Sequence, residues 1–101
     1  ALLGLRFENG ATAQLCSSVL WDAPKRMEVY GTRGFAYLED TLGPHGRGRV
    51  TTHEGPLEFE PRDPYIGEIE DFVGAIRENR PPEVDGEEGM RNVELLSHAV
   101  A

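Results

Sequence analysis

The chain has 101 residues, of which 18 are acidic and 10 are basic, so its formal net charge is −8. That length predicts one domain, and the acidic balance argues against nucleic acid or an anionic membrane as the main partner, because both attract clustered Lys and Arg. Cys16 is the single cysteine, which excludes an internal disulfide and favours a reducing, cytoplasmic compartment. No apolar run approaches the ~20 residues of a membrane span.

The first segment predicts a β-hairpin. Apolar residues alternate over 3–7 and again over 11–19, with Gly10 between them. A three-residue turn with Gly10 in the left-handed conformation places Leu3 opposite Leu15, so that apolar side chains share one face. A two-residue turn would mix apolar and polar residues on that face. We therefore predict the bulged three-residue turn. Because the chain opens inside an apolar strand without a Met, we also expect it to be a fragment of a longer protein.

The middle of the chain predicts two further hairpins. Strands over 26–30 and 35–39 are joined through two glycines, which permit a tight reversal. The glycine-rich stretch 40–48 is predicted to be a surface loop. A third hairpin, over 49–53 and 57–60, is predicted to turn at Glu54-Gly55 and to place Val50 opposite Phe59.

After Pro61 the apolar period changes from two to about 3.6, which predicts helices. Asp63 and Pro64 suit the cap and first position of the first helix. Asp85 and Glu88 have capping-box spacing for a second helix. The apolar stripe of the first helix consists of Tyr65, Ile66, Ile69, Phe72, Val73 and Ile76. The inward face of the second consists of Met90, Val93, Leu96 and Val100.

This order of elements predicts a single α+β domain over 1–101. It contains a mostly antiparallel sheet of about six strands, formed by three hairpins, with two C-terminal helices packed on one face. Two helices leave the other face uncovered, and a large exposed apolar patch is unusual on a monomer. We therefore expect a homo-oligomer that associates through the open sheet face.

One side-chain cluster suggests a binding site. Trp21, Asp22, Lys25 and Arg26 lie together in the connection that follows the second strand. An indole can stack on a ligand ring, while the charged groups can bind hydroxyls. The alternative interpretation is an ordinary connection whose Trp packs over the sheet edge.

We predict no catalytic, cofactor-binding or metal-binding residues in the chain. The nearest glycine motif, Gly46-Arg47-Gly48, leads into a strand rather than a helix, so it does not fit a dinucleotide fingerprint. The histidines have no partners at metal-ligand spacing. The acidic groups at 68–71 and 87–88 are interpreted as structural.

Four stretches resemble, in order and spacing, the C-terminal domain of the glucose–fructose oxidoreductase/inositol dehydrogenase (Gfo/Idh/MocA) family. They read FENGA at 7–11, RMEVYGTRGF at 26–35, YIGEIEDFVGAI at 65–76 and RPPEVDGEEG at 80–89. The resemblance implies a parent protein in which a Rossmann domain binds NAD or NADP. The second domain closes over a sugar or polyol, whose carbon exchanges a hydride with the nicotinamide.

The family's catalytic Glu-Lys-Pro motif does not occur in these residues. The resemblance therefore implies an inactive substrate-binding and oligomerisation fragment, whose partner is its own N-terminal nucleotide-binding domain. It also implies Trp21, Asp22 and Arg26 as substrate-binding residues, because this connection matches where family members bring side chains towards the substrate. The alternative is a stand-alone, non-catalytic module that dimerises or binds a partner.

Overall fold

A computed structural model describes residues 1–99 of the chain. Six strands precede two helices, so the predicted α+β class, the three hairpins and the two C-terminal helices are confirmed. The strands are β1 (Leu2–Arg6), β2 (Thr12–Cys16), β3 (Arg26–Gly31), β4 (Gly34–Glu39), β5 (Arg49–Thr52) and β6 (Gly55–Leu57). The helices are α1 (Pro64–Glu78) and α2 (Gly86–Ala99). No helix in this range is long and apolar enough to cross a membrane.

The strands form two sheets rather than one. β1 and β2 make a two-stranded sheet, while β3, β4, β5 and β6 make a four-stranded antiparallel sheet in that order. The chain divides in the same way into one unit of residues 1–23 and 84–101 and another of residues 24–83. The break lies in the connection after β2. Ser18 Oγ accepts a hydrogen bond from the Leu20 amide there, and β2 ends at Cys16, earlier than the predicted alternation to Val19.

The register of the first hairpin confirms the predicted turn. Leu3 is opposite Leu15, and the Phe7 amide donates to the Ala11 carbonyl across 2.9 Å. Gly10 has φ +89°, a conformation that glycine adopts without steric cost. The bulged turn forms because its register places the apolar side chains of both strands on one face.

The predicted register of the third hairpin is wrong. Val50 lies opposite Leu57 rather than Phe59, and the turn is formed by His53 and Glu54. The Thr52 hydroxyl donates to the Gly55 carbonyl (2.9 Å) and accepts from the Glu54 amide (3.2 Å). These local bonds favour a turn one residue earlier than the predicted one. The second hairpin turns tightly at residues 32 and 33, as predicted.

The caps of both helices agree with the prediction. Asp63 Oδ1 accepts from the Tyr65 amide, and Asn79 ends α1 in the left-handed conformation at φ 51°. Asp85 Oδ1 accepts from the Glu88 amide at the start of α2. Val100, which was predicted on the inward face of α2, lies outside the described residues.

The apolar faces of the helices are not covered within the described residues. In the α1 stripe, Ile66, Ile69, Phe72 and Ile76 are between 51% and 66% exposed and Val73 is half-buried, and Ala75 is the single buried apolar residue of the described range. The chain exposes 9336 Å². Two separate compact bodies sharing its mass would expose about 6,900 Å². Much of the apolar surface of each unit is therefore left exposed.

Candidate functional site

Charged residues gather at one end of the four-stranded sheet. The backbone amide of Asp40, at the end of β4, donates a 2.7 Å hydrogen bond to the Lys25 carbonyl, just before β3. Glu39 is paired with Arg26 on one side and with Arg49 on the other. The Arg49 guanidinium lies 4.0 Å from the Glu39 carboxylate. The antiparallel register thus brings basic and acidic groups from three strands to the same end of the four-stranded sheet.

An open cavity of about 260 Å³ lies at this end of the sheet, between Lys25, Asp40 and the loop of residues 43–47. The residues that line it are Lys25, Asp40, Gly43, Pro44, His45 and Arg47. Two of these side chains are fixed cations, one is an imidazole, and one is a carboxylate. The cavity therefore combines groups that bind anions with one group that accepts hydrogen bonds from hydroxyls.

The backbone of this loop is held at several points. Gly46 has φ +61°, and its carbonyl accepts a 3.2 Å hydrogen bond from the Arg62 amide. A Cβ on Gly46 would overlap the Arg62 carbonyl. Gly48 has φ +131°, and a Cβ there would lie 2.5 Å from the Glu39 carbonyl oxygen. Glycine is required at both positions because the loop passes so close to the neighbouring backbone.

The predicted substrate residues lie in two different units. Trp21 is 61% exposed and, with the exposed Asp22, belongs to the unit of residues 1–23 and 84–101. Arg26 begins β3 in the other unit. Their common role in a substrate site stays a prediction. Lys25, the fourth member of the predicted cluster, lines the cavity.

Sequence reasoning missed Asp40, His45 and Arg47 as members of a possible site. The glycines and the proline of residues 40–48 predict a surface loop and point to no particular function. One signal was present: His45 and Arg47 are the only titratable residues between Asp40 and Arg49, so no acidic residue within the loop neutralises them. Their position beside Lys25 depends on the fold, so the local sequence does not predict it.

The opposite end of the sheet carries an aromatic group. Phe35 and Tyr37 have ring centroids 5.0 Å apart, and Tyr30 contacts Tyr37 edge-on at 6.2 Å. Its interactions with the Tyr37 side chain and the Glu28 carboxylate raise the pKa of Tyr30 to about 12. The Tyr30 hydroxyl donates to Glu28 across 3.0 Å. The rings lie on adjacent strands of the β3–β4 hairpin, where such cross-strand pairs stabilise a sheet.

Several acidic residues of the helices make ion pairs. Asp71 accepts from the Glu83 amide (2.8 Å) and from the Arg80 guanidinium (2.9 Å). These two bonds lower the pKa of the Asp71 carboxyl. Glu70 pairs with Arg62, and Glu88 in α2 pairs with Arg91 across 2.6 Å. The carboxylates of Asp71 and Glu70 thus tie α1 to neighbouring segments, whereas the Glu88–Arg91 pair lies within α2.

The described residues do not fit a dinucleotide cofactor. A phosphate-binding fingerprint requires a glycine-rich turn between a strand and a helix. Residues 58–63, which connect β6 to α1, contain no glycine, and the Gly46–Gly48 loop leads into β5. Within residues 1–99 there is also no group of three or more side chains able to hold a metal ion.

Comparison with known proteins finds a partial similarity to a dehydrogenase. No protein-family model matches the chain, and no solved structure matches it significantly. One curated relative is a dehydrogenase, and its match covers 86% of this chain. That relative is the UDP-N-acetylglucosamine 3-dehydrogenase of Acidithiobacillus ferrooxidans, which is 32% identical over 97 residues. The match covers 31% of the relative, so the chain spans about a third of its length.

Proposed function

We propose that these residues form part of the C-terminal, substrate-side domain of an NAD(P)-dependent oxidoreductase of the Gfo/Idh/MocA family. The observation that carries the proposal is the 32% identity over 97 residues with a dehydrogenase. The four resembling stretches and the confirmed order of three hairpins followed by two helices support it. The cofactor, supplied by another part of such an enzyme, would accept or donate the hydride.

The substrate that this proposal assigns is a sugar or polyol hydroxyl, and more narrowly a nucleotide-linked sugar. The name of the relative specifies a UDP-linked amino sugar oxidised at position 3. In this role the chain binds and orients the sugar, because its described residues hold no cofactor fingerprint. Trp21, Asp22 and Arg26 remain the proposed substrate contacts, with the indole stacking on a ring face and the charged groups binding hydroxyls.

The direct test uses the longest natural polypeptide that contains these residues. Incubation with UDP-N-acetylglucosamine and NAD⁺ or NADP⁺ is expected to produce reduced cofactor, measured by absorbance at 340 nm. Absence of turnover with this and other sugars and polyols, in a preparation shown to be folded, would overturn the proposal. The 101-residue chain alone is expected to bind NADH or NADPH no more tightly than inorganic pyrophosphate and without saturation at micromolar concentration, and micromolar saturation would contradict its assignment to the substrate side.

We also propose that the chain associates with a second copy through the four-stranded sheet. Met27, Val29 and Leu57 point to one face of this sheet and are between 46% and 57% exposed. The chain exposes about 2,400 Å² more than two compact bodies of its mass would, and this surplus includes the helix faces as well as the sheet. In the complete enzyme the nucleotide-binding domain would be the second partner of these exposed apolar faces.

Sedimentation of the 101-residue chain tests this association. We expect a dimer or larger species at high micromolar concentration, and a Val29→Glu variant is expected to shift it towards monomer because a charge would then be buried in the interface. Thr51→Glu, on the other face of the sheet, is the matched control. A strictly monomeric wild-type chain would refute the homo-oligomer.

A further inference from the structure

We propose that the cavity between Lys25, Asp40 and the loop of residues 43–47 is an anion site, which binds the phosphate group of a phosphorylated sugar. We call it the loop cavity. The sugar part of this inference rests on the proposed function, whereas the anion part rests on the charges and geometry of the cavity itself.

The basic side chains of the loop cavity share it with one carboxylate, that of Asp40. Lys25 and Arg47 form no ion pair within residues 1–99, although four other arginines of the chain are paired with carboxylates. The chain as a whole is strongly acidic. Two unpaired cations beside an imidazole on one concave surface attract an anion, and the guanidinium fork matches the oxygens of a phosphate.

The loop cavity is held in shape before any ligand arrives. The hydrogen bond from the Asp40 amide to the Lys25 carbonyl fixes the backbone of these two lining residues. The hydrogen bond from the Arg62 amide to the Gly46 carbonyl fixes the loop of residues 43–47. Asp40 itself has φ 56°, a left-handed conformation that Asp and Asn tolerate better than most residues. A site whose backbone is already fixed loses little conformational entropy on binding.

The carboxylate of Asp40 distinguishes a sugar phosphate from a bare phosphate. It repels an anion, but it also accepts hydrogen bonds from the hydroxyls that a sugar carries next to its phosphate. The volume of about 260 Å³ is below the 300–1,000 Å³ typical of sites that enclose a whole ligand. The loop cavity therefore takes the phosphate and the adjoining hydroxyls, while the rest of the molecule lies outside it.

The test is a titration of the ¹⁵N-labelled 101-residue chain, followed by NMR, with three probes: inorganic pyrophosphate, UDP-N-acetylglucosamine and N-acetylglucosamine. We expect the amide signals of residues 40–48 to shift with both phosphate-containing probes and not with the neutral sugar. Raising NaCl from 50 to 500 mM is expected to weaken the binding, because salt screens exposed charges.

Four variants locate the binding. Lys25→Met and Arg47→Met are each expected to weaken it about threefold, as expected for one partly exposed charge pair. Asp40→Asn is expected to tighten pyrophosphate binding about twofold, because it removes the repelling charge and suits the same backbone conformation. Arg33→Met is the matched control, since it removes one cation at the opposite end of the β3–β4 hairpin and is expected to leave the affinity unchanged.

Each adverse result has a definite meaning. Absence of binding by both phosphate probes, equal binding of the neutral sugar, or equal weakening by Arg33→Met would overturn the anion site. Binding of pyrophosphate without UDP-N-acetylglucosamine would overturn the sugar assignment. If the natural polypeptide acts as a dehydrogenase but the loop cavity binds no phosphate, the cavity inference fails alone. Phosphate binding without any dehydrogenase activity would instead refute the proposed function.

Discussion

The Asp40 amide donates to the Lys25 carbonyl across 2.7 Å, and this single bond connects the residue before β3 with the residue after β4. It extends the β3–β4 ladder by one residue beyond the Arg26–Glu39 pair. As a result, the loop that follows Asp40 begins beside Lys25. The charged residues of the loop cavity are brought together by backbone pairing, not by their spacing in the sequence.

The conformation of Gly46 should decide whether the loop cavity forms. We expect Gly46→Ala to displace the loop, because the new Cβ would overlap the Arg62 carbonyl and φ is +61°. Pyrophosphate affinity, measured by NMR titration, is then expected to fall at least tenfold. Gly43→Ala is the control, since Gly43 lines the same cavity and an added Cβ would meet nothing within 4 Å. Equal affinity of the two variants would contradict the role of Gly46.

Gly10 should stabilise the β1–β2 hairpin through its positive φ. Gly10→Ala is expected to destabilise the hairpin by about 1 kcal/mol, because an L-residue is strained in the left-handed region. The measurement is the intensity of the nuclear Overhauser effects (NOEs) between Leu3 and Leu15, with unfolding by urea as a second readout. Gly4→Ala lies in the same sheet, where an added Cβ meets no atom within 4 Å, and should leave both unchanged. A neutral effect of Gly10→Ala would count against the bulged turn.

The Thr52 hydroxyl should fix the register of the β5–β6 hairpin. In Thr52→Val both of its hydrogen bonds, to Gly55 and from Glu54, are lost. We expect weaker NOEs between Val50 and Leu57 and new ones between Val50 and Phe59, which correspond to the alternative turn. Thr51→Val is the control because no hydrogen bond is formed by that hydroxyl within the described residues. Unchanged NOEs in Thr52→Val would show that another contact sets the register.

The Asp71 carboxyl should make the stability of its unit depend on acidic pH. Its pKa is lowered in the folded chain by the Glu83 amide and the Arg80 guanidinium. The stabilisation is therefore complete above the unfolded pKa of about 3.9 and is lost as pH falls through the lower folded value. The thermal unfolding midpoint, measured by circular dichroism from pH 6 to 2, should fall less in Asp71→Asn than in wild type.

Glu68→Gln provides the comparison for Asp71, since Glu68 lies on the same helix and forms no ion pair within residues 1–99. Its pH profile is expected to follow that of the wild type. If Asp71→Asn and the wild type lose stability in parallel over the acidic range, the Asp71–Arg80 pair does not contribute to folding.

Two kinds of feature could be predicted from the sequence. One is a turn whose register decides which side chains share the apolar face, and the other is a helix end with a capping side chain. At Gly10 the two possible turns place different side chains on the apolar face, so the pattern selected one of them. At Thr52 both registers keep Val50 and Leu57 on the same face, and the choice depended on a hydroxyl. The caps at Asp63 and Asp85 were predictable because each side chain bonds an amide two or three residues away.

The loop cavity could not be predicted in this way. Lys25 and Arg47 are 22 positions apart in the sequence, and they meet at one cavity only through the β3–β4 pairing and two glycines with positive φ. The sequence also did not predict the division of the strands into two sheets. The alternation of residues continues to Val19, whereas β2 ends at Cys16. Trp21 and Arg26 are close in sequence, yet they lie in different units.

Helix α1 is completed at both ends by its own neighbours, through Asp63 at the start and the left-handed Asn79 at the end. The Arg80 amide also donates back to the Ala75 carbonyl, and the Asp71–Arg80 pair braces the following turn. The apolar stripe of α1 therefore lies on a helix that is already formed and capped at both ends. A partner that covers this stripe binds a preformed helix. Most of the conformational entropy lost on assembly is therefore lost by the partner.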